Sequence, residues 1–244
     1  MKITLLTLFA IILSGQLFAQ NIEVFAQAYS GLFHYSGNGT ASTSTINYAQ
    51  PPFHSYPNYS FGNKNGFSYG VDIQAQHVAK CGFISGLQAG YDILRSKADI
   101  TGINGELILW TDLPGSFTIP VKGTSVVQNQ YINFNPYVGY RLPVKKIKID
   151  LLAGVDLPVG VNSYEKSRSV ASDGTVYQTN VNYGKGGFDP RSSFGIEVSY
   201  KKFGIIASYA HGIINHSAGL MNDSPVVYEA YSEVLRFGIT YKIM

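Results

Sequence analysis

The chain closes with the stretch VLRFGITYKIM at residues 234–244, in which apolar and polar side chains alternate one by one. Leu, Phe, Ile, Tyr and Ile occupy the odd positions, whereas the even positions include Arg236, Thr240 and Lys242. Side chains of a β-strand point alternately to its two faces. The stretch therefore predicts a strand with one apolar and one polar face.

The same alternation recurs along the chain and predicts eight strands in all. They lie at residues 22–34, 67–78, 83–94, 131–142, 147–161, 192–200, 203–211 and 233–243. The connections between them are alternately long and short. The short ones are 79–82, 143–146 and 201–202, and the long ones are about 35–66, 95–130, 162–191 and 212–232.

This alternation of connection lengths separates two classes of β protein. A soluble sandwich has no reason for it, whereas outer-membrane barrels combine tight periplasmic turns with long outward-facing loops. We therefore predict an all-β fold, an eight-stranded antiparallel up-and-down transmembrane β-barrel with long extracellular loops and short periplasmic turns. The even strand count, with a first strand close to the leader, places both termini in the periplasm.

The distribution of charge indicates which face of the barrel meets lipid. We interpret the apolar parity of all eight segments as free of Asp, Glu, Lys and Arg. Such a face suits lipid, where an Arg or Lys at mid-depth would cost ~2–4 kcal/mol. A soluble barrel would instead be apolar inside and charged outside.

The opposite parity carries the charges that we expect inside the barrel. An eight-stranded barrel has an interior only wide enough for side chains. We therefore expect inward acids and bases to pair with one another, with a narrow conductive path as the alternative. The predicted polar core of the lumen consists of Asp72, Asp92, Lys148, Asp150, Arg191, Glu197, Arg236 and Lys242.

Two local features modify this regular pattern. Pro136 and Pro158 lie inside predicted strands, and proline cannot donate a ladder hydrogen bond, so we expect bulges there. The second and third long connections contain apolar stretches on either side of the turns 112–115 and 172–174 and are predicted to form hairpins.

The N-terminus has the pattern of a cleavable secretory leader. Lys2 precedes an apolar run, Ile3–Leu13, which is too short to span a bilayer. We assign residues 1–19 to a signal peptide and 20–244 to one barrel domain. The formal net charge of the whole chain is only +3, which gives no reason to expect nucleic acid as a partner.

The last quarter of the chain resembles a known family. Gly187-Phe188-Asp189 precedes a strand, Tyr200-Lys201-Lys202 forms a turn, and Tyr209 begins a Tyr-x-x-Gly-Ile motif. With the aliphatic–aromatic last strand, this pattern is similar to small outer-membrane β-barrels of Bacteroidota, of the PorT-like or OmpX/OmpA-like kind. The resemblance implies outer-membrane lipid and the barrel-insertion machinery as partners, and it brings no catalytic residues or cofactor.

The first long connection has an unusual composition, with a single charged residue between Ser36 and Gly66. Tyr combined with Ser, Gly and Asn makes an adaptable recognition surface. A glycan or another protein could bind the candidate recognition residues, which are Tyr48, Phe53, Tyr56, Tyr59 and Phe61. Alternatively, these rings pack on neighbouring loops and cap the barrel.

His34 and Ser36 lie two residues apart and share a strand face, which is a weak pattern for a hydrolase. No acid occurs between Glu23 and Asp72, so an orienting carboxylate must come from another loop. The five histidines are scattered, and neither a metal nor a cofactor is expected.

These patterns favour a non-enzymatic envelope or surface protein that uses its extracellular loops. Two alternatives stay open. One is a subunit or accessory of a larger outer-membrane complex for secretion or gliding, and the other is a small hydrolase that modifies lipid or lipopolysaccharide. An acid found beside His34 and Ser36 in the fold would favour the hydrolase.

Overall fold

The computed structural model describes residues 22–48, 55–58, 61–107, 115–217 and 228–244. The predicted leader, Phe53 and Tyr59 lie outside these residues. The described chain forms twelve β-strands. They are β1 (Ile22–Ser36), β2 (Thr43–Asn47), β3 (Tyr56–Pro57), β4 (Lys64–Val78), β5 (Phe83–Leu107), β6 (Gly115–Val144), β7 (Ile147–Asp156), β8 (Val159–Ala171), β9 (Val176–Gly184), β10 (Arg191–Tyr200), β11 (Phe203–Gly212) and β12 (Tyr231–Lys242).

Eight of these strands close into a ring in the order β1, β4, β5, β6, β7, β10, β11, β12. Each pair is antiparallel, and the ring closes where β12 pairs with β1, from Phe25 opposite Lys242 to Ser36 opposite Tyr231. The predicted eight-stranded antiparallel up-and-down barrel is confirmed. No helix in the described part of the chain is long and apolar enough to cross a membrane.

Short turns and both ends of the described barrel lie on one side, here named the short-turn end. The turns join β4 to β5, β6 to β7 and β10 to β11. Lys145 and Lys201 adopt positive φ angles of 57° and 54°, as tight hairpin turns require. At the same end the Val24 amide donates to the Met244 carbonyl at 3.0 Å. The opposite side is named the long-loop end.

Beyond the long-loop end, the long connections extend the same sheet into a region named the projection. β5 and β6 continue past the ring as one hairpin, 25 and 30 residues long. The remaining strands extend it in the order β3-β2-β5-β6-β8-β9. Both predicted hairpins are therefore present, although residues 112–114 of the first turn lie outside the described residues. Their apolar side chains pack into a core of their own, made of Ile46, Ile100, Ile103, Val121 and Ala171.

The predicted strand at 147–161 is wrong in one respect, because the structure divides it. β7 ends at Asp156 and β8 begins at Val159, and the two pair with different parts of β6. Pro158 lies in the break, where its missing N–H leaves no gap in a ladder. Pro136 lies in β6 between its pairings with β7 and β8. On the other side of β6, however, the ladder with β5 passes through Leu87 opposite Pro136 without a shift, so the bulge predicted at Pro136 is absent there.

The outer surface of the ring is apolar and exposed. Phe194, Ile205 and Ile239 are 63%, 63% and 67% exposed, respectively, and such side chains recur on the predicted outward parity of every ring strand. Glu233 is an exception and corrects the expectation of a charge-free face. It is the first residue of the last predicted segment, shares its parity with Leu235, and also points outward.

Candidate functional site: the lumen and the outer rim

The short-turn end of the lumen is closed by a network around Glu23. Arg141 donates from Nη2 to Glu23 Oε2 and to Asp150 Oδ2, at 2.7 Å in each case. The other Glu23 oxygen accepts from Lys148 at 3.0 Å and from Lys242 at 2.8 Å. Four strands, β1, β6, β7 and β12, are thereby joined across the interior. Buried charges that are paired in this way avoid the cost of an isolated ion.

The middle of the lumen is organised by Arg236. Its guanidinium donates to Asp156 Oδ2 at 2.8 Å and to Asp92 Oδ2 at 3.1 Å. The Tyr29 hydroxyl donates to the other Asp92 oxygen, and the Tyr29 ring lies 5.6 Å from the guanidinium carbon. Asn135 donates to the remaining Asp156 oxygen at 2.7 Å. One cation therefore serves two buried carboxylates.

A third cluster closes the lumen at the long-loop end. Asp189 Oδ2 accepts from Arg191 Nε at 3.0 Å, and its Oδ1 accepts from the Ser232 hydroxyl at 2.9 Å and lies 3.0 Å from His216 Nε2. The fully buried Arg191 also stacks on the Tyr131 ring at 5.2 Å. Burial alone raises the pKa of Asp189, but Arg191 and His216 outweigh it and hold that pKa below its ordinary value.

The eight predicted lumen residues all point into the ring, but several partners differ from those expected. Glu197 accepts a hydrogen bond from Thr240 at 2.7 Å instead of pairing with a cation. Sequence reasoning did not include Glu23, Arg141 and Asp156 in this core, although the structure places all three in it. It missed Asp189 because that residue precedes β10, where strand parity carries no information.

The space left inside is small. Asp72 lines a cavity of about 40 Å³ together with Asn133, Asn135 and Arg236. One water molecule needs roughly 10–15 Å³ of cavity volume. The cavity can therefore hold a few waters among polar side chains, but it is no continuous aqueous column.

The predicted recognition residues are divided between two places. Tyr48 and Tyr56 are exposed on the projection, where the Tyr48 ring lies 6.3 Å from the Tyr177 ring. Phe61 lies apart from these two tyrosines. It packs at the mouth of the ring, 5.1 Å from the Tyr35 ring and 6.1 Å from the His216 ring, so it helps cap the barrel.

A row of polar side chains lies on the outer surface of the ring near the long-loop end. Glu233 of β12 is directly opposite His34 of β1 and His211 of β11. Its carboxylate oxygens lie 3.6 Å from His34 Nε2 and 3.7 Å from His211 Nδ1. Ser36 follows His34 on the same face of β1. Among the described residues, no group of three or more His, Cys, Asp or Glu side chains is arranged to hold a metal ion.

Comparisons with known proteins return only distant structural matches. No protein-family model matches the chain, and neither does any curated protein. Among solved structures, Neisserial surface protein A is 14% identical with a TM-score of 0.37, over 90% of this chain and 97% of that one. The attachment invasion locus protein of Yersinia pestis, in complex with the heparin analogue sucrose octasulfate, is 10% identical with a TM-score of 0.33, over 91% and 99%.

The Escherichia coli outer membrane protease OmpT is also similar, at 13% identity and a TM-score of 0.33, over 92% of this chain and 97% of that one. The matches therefore include both a surface protein and a protease. At these scores they carry no argument about function.

Proposed function

We propose that the chain is an integral β-barrel of the bacterial outer membrane that conducts no solute and acts at its long-loop end, outside the cell. The observation that carries this proposal is the inversion of polarity in the ring. Ion pairs of Arg236 and Arg141 fill the interior, while side chains such as Ile239 and Phe194 lie exposed outside. In water this surface would be a large apolar patch, whereas lipid would cover it.

The proposed orientation puts the short-turn end, with both termini of the barrel domain 20–244, in the periplasm. A leader at 1–19 would deliver the chain there for folding by the barrel-insertion machinery. The resemblance to the PorT-like Bacteroidota barrels supports this placement. It rests on the barrel strands alone and says nothing of the projection.

The projection is the part that we propose for recognition. It has its own core, so it can hold Tyr48 and Tyr56 in fixed positions beyond the membrane. Rigid Tyr side chains among Asn and Ser suit contact with a glycan or a protein. A role as an accessory of a larger outer-membrane complex is the second candidate, favoured by Val170, Val176 and Tyr183, which are exposed on the β8–β9 hairpin.

Cysteine labelling on intact cells tests the location and orientation together. The native Cys81 is exposed in a short turn and should not react with a membrane-impermeant thiol reagent. In a Cys81→Ser background, Asn58→Cys in the projection should react and Lys202→Cys should not. Labelling of Lys202→Cys with protection of Asn58→Cys would reverse the topology. Equal labelling of both only after lysis would place the protein elsewhere.

Site-specific crosslinking tests the recognition role. A photoreactive amino acid in place of Tyr56 should yield a discrete adduct on cells, and the same group in place of Lys202 should not yield that adduct. An adduct of constant protein mass supports the accessory role, while a glycan-sensitive adduct supports glycan recognition. If Tyr56 gives no adduct at all, the projection is not a recognition surface.

A further inference from the structure

Glu233 occupies an unusual position on the outer surface of the ring. Of the eight predicted segments, all of which the structure describes, it is the only Asp, Glu, Lys or Arg on the outward parity. Ionisable groups that face a membrane are costly, and they mark functional positions more often than structural ones. Its two flanking histidines, His34 and His211, point outward with it.

The neighbouring residues show at what depth this carboxylate lies. One row across β1, β12, β11 and β10 is polar and contains His34, Glu233, His211 and Ser192. The next outward row toward the short-turn end is apolar and contains Leu32, Leu235, Tyr209 and Phe194. A polar row directly above an apolar and aromatic row is the pattern of a membrane–water interface. The ester bonds of membrane lipids lie at this boundary between headgroups and acyl chains.

Three side chains near this boundary are of the types that nucleophilic catalysis combines, namely a hydroxyl, an imidazole and a carboxylate. Glu233 Oε2 lies 3.6 Å from His34 Nε2, just beyond hydrogen-bond distance, and a slightly closer approach of the carboxylate would hold the proton on that nitrogen. His34 Nδ1 is then the basic nitrogen. Ser36 is two residues farther along the same strand face, about 7 Å away between Cα atoms, a separation that an imidazole ring can span.

We propose that Ser36, His34 and Glu233 form a hydrolytic triad that cleaves ester-linked acyl chains of lipids at the outer surface of the membrane. The lipid substrate rests on the proposed membrane location, whereas the triad itself does not. Ser36 and His34 are the catalytic residues, and Glu233 is a positioning residue that acts through His34.

The reaction would proceed in two balanced steps. The Ser36 hydroxyl attacks the ester carbonyl while His34 Nδ1 takes its proton, and His34 returns that proton to the departing lipid alcohol. The result is an acyl-Ser36 ester and a free hydroxyl on the lipid. Water then attacks this ester with His34 again as the base, which releases a fatty acid and restores Ser36. No oxidant, metal or cofactor is required.

A covalent probe tests the nucleophile without relying on turnover. The purified protein in detergent micelles should react with an alkyl fluorophosphonate, and peptide mass spectrometry should find the label on Ser36. Ser36→Ala and His34→Ala should lose labelling and should lose hydrolysis of a p-nitrophenyl ester of a medium-length fatty acid. Ser30→Ala, on the same strand face, is the matched control and should retain both.

The role of Glu233 needs a measurement that a loss of stability alone would not change. Glu233→Gln should lower kcat by about 10²- to 10⁴-fold with little change in KM, and Glu233→Asp should restore part of the rate. The heat-dependent shift in gel mobility that folded barrels show establishes that each variant is folded. A folded wild-type protein that is labelled at another serine, or not at all, overturns the proposal. Because this assay is done in micelles, a negative result would overturn the triad without testing the membrane location. The labelling of intact cells tests that location separately.

Discussion

Arg236 Nη1 lies 2.8 Å from Asp156 Oδ2, and this contact joins β12 to β7 across the interior of the ring. The two strands are not neighbours, since β11 and β10 lie between them. The same guanidinium also binds Asp92 of β5, so it connects three strands. Arg236 is therefore a cross-brace, and two buried carboxylates depend on it for their neutralisation.

Removing this cross-brace should destabilise the barrel without opening a pore. Arg236→Ala strands two buried acids and should lower the free energy of unfolding by about 3–5 kcal/mol, measured by urea unfolding in lipid vesicles. Lys242→Ala is the matched control, because the Lys242 side chain is 26% exposed, against 9% for Arg236, and its loss should cost much less.

Conductance in planar bilayers is a second, independent test of the packed lumen. The wild-type protein should show little steady current, since its ion-paired layers leave room only for isolated waters. A large, stable, ion-selective conductance in the wild-type protein would refute the closed lumen and favour a channel.

The outward face makes a third prediction, about lipid. Ile239→Arg on the ring should weaken folding into vesicles by ~2–4 kcal/mol if that position lies near mid-depth. Val176→Arg makes a comparable change at an exposed apolar site on the projection, and such surface substitutions usually stay within about 0.5 kcal/mol. Similar costs at both sites would contradict the assignment in which the ring lies in the membrane and the projection lies outside it.

The ring itself was predictable because strand parity and turn length are local properties of the sequence. The same property located Asp72, Arg236 and the other inward charges, since each lies on the parity opposite an apolar row. Parity cannot say which acid meets which base, because that depends on barrel stagger. Hence Arg236 pairs with Asp156 as well as with the expected Asp92, and Lys242 pairs with Glu23, which the predicted core did not include.

Two features of the long-loop end depend on contacts between distant parts of the chain and could not be predicted. Phe61 lies in a connection whose composition suits recognition, yet its ring packs on the rings of Tyr35 and His216. Glu233 lies 199 positions from His34 in sequence and meets it only because β12 closes the ring on β1. The sequence nevertheless shows that Glu233 shares the outward parity of Leu235.

The cluster that closes the mouth of the ring predicts how stability depends on pH. Burial raises the pKa of Asp189, but Arg191 and His216 hold it below its ordinary value of 3.8. A carboxyl group with a lowered pKa in the folded state contributes stability that is fully present above its unfolded value. That contribution is lost as the pH falls through the folded value.

Asp189→Asn should therefore be less stable than the wild-type protein at about pH 5, and the difference should shrink below about pH 4. Unfolding by urea in vesicles, repeated across that range, measures the difference directly. Asp173→Asn is the control. Its carboxyl group also has a lowered pKa, through hydrogen bonds from Thr175, but it is fully exposed in a turn. Its substitution should change stability far less, because water already solvates the charge. A difference for Asp189→Asn that is equal at every pH would show that the residue acts through packing rather than through its charge.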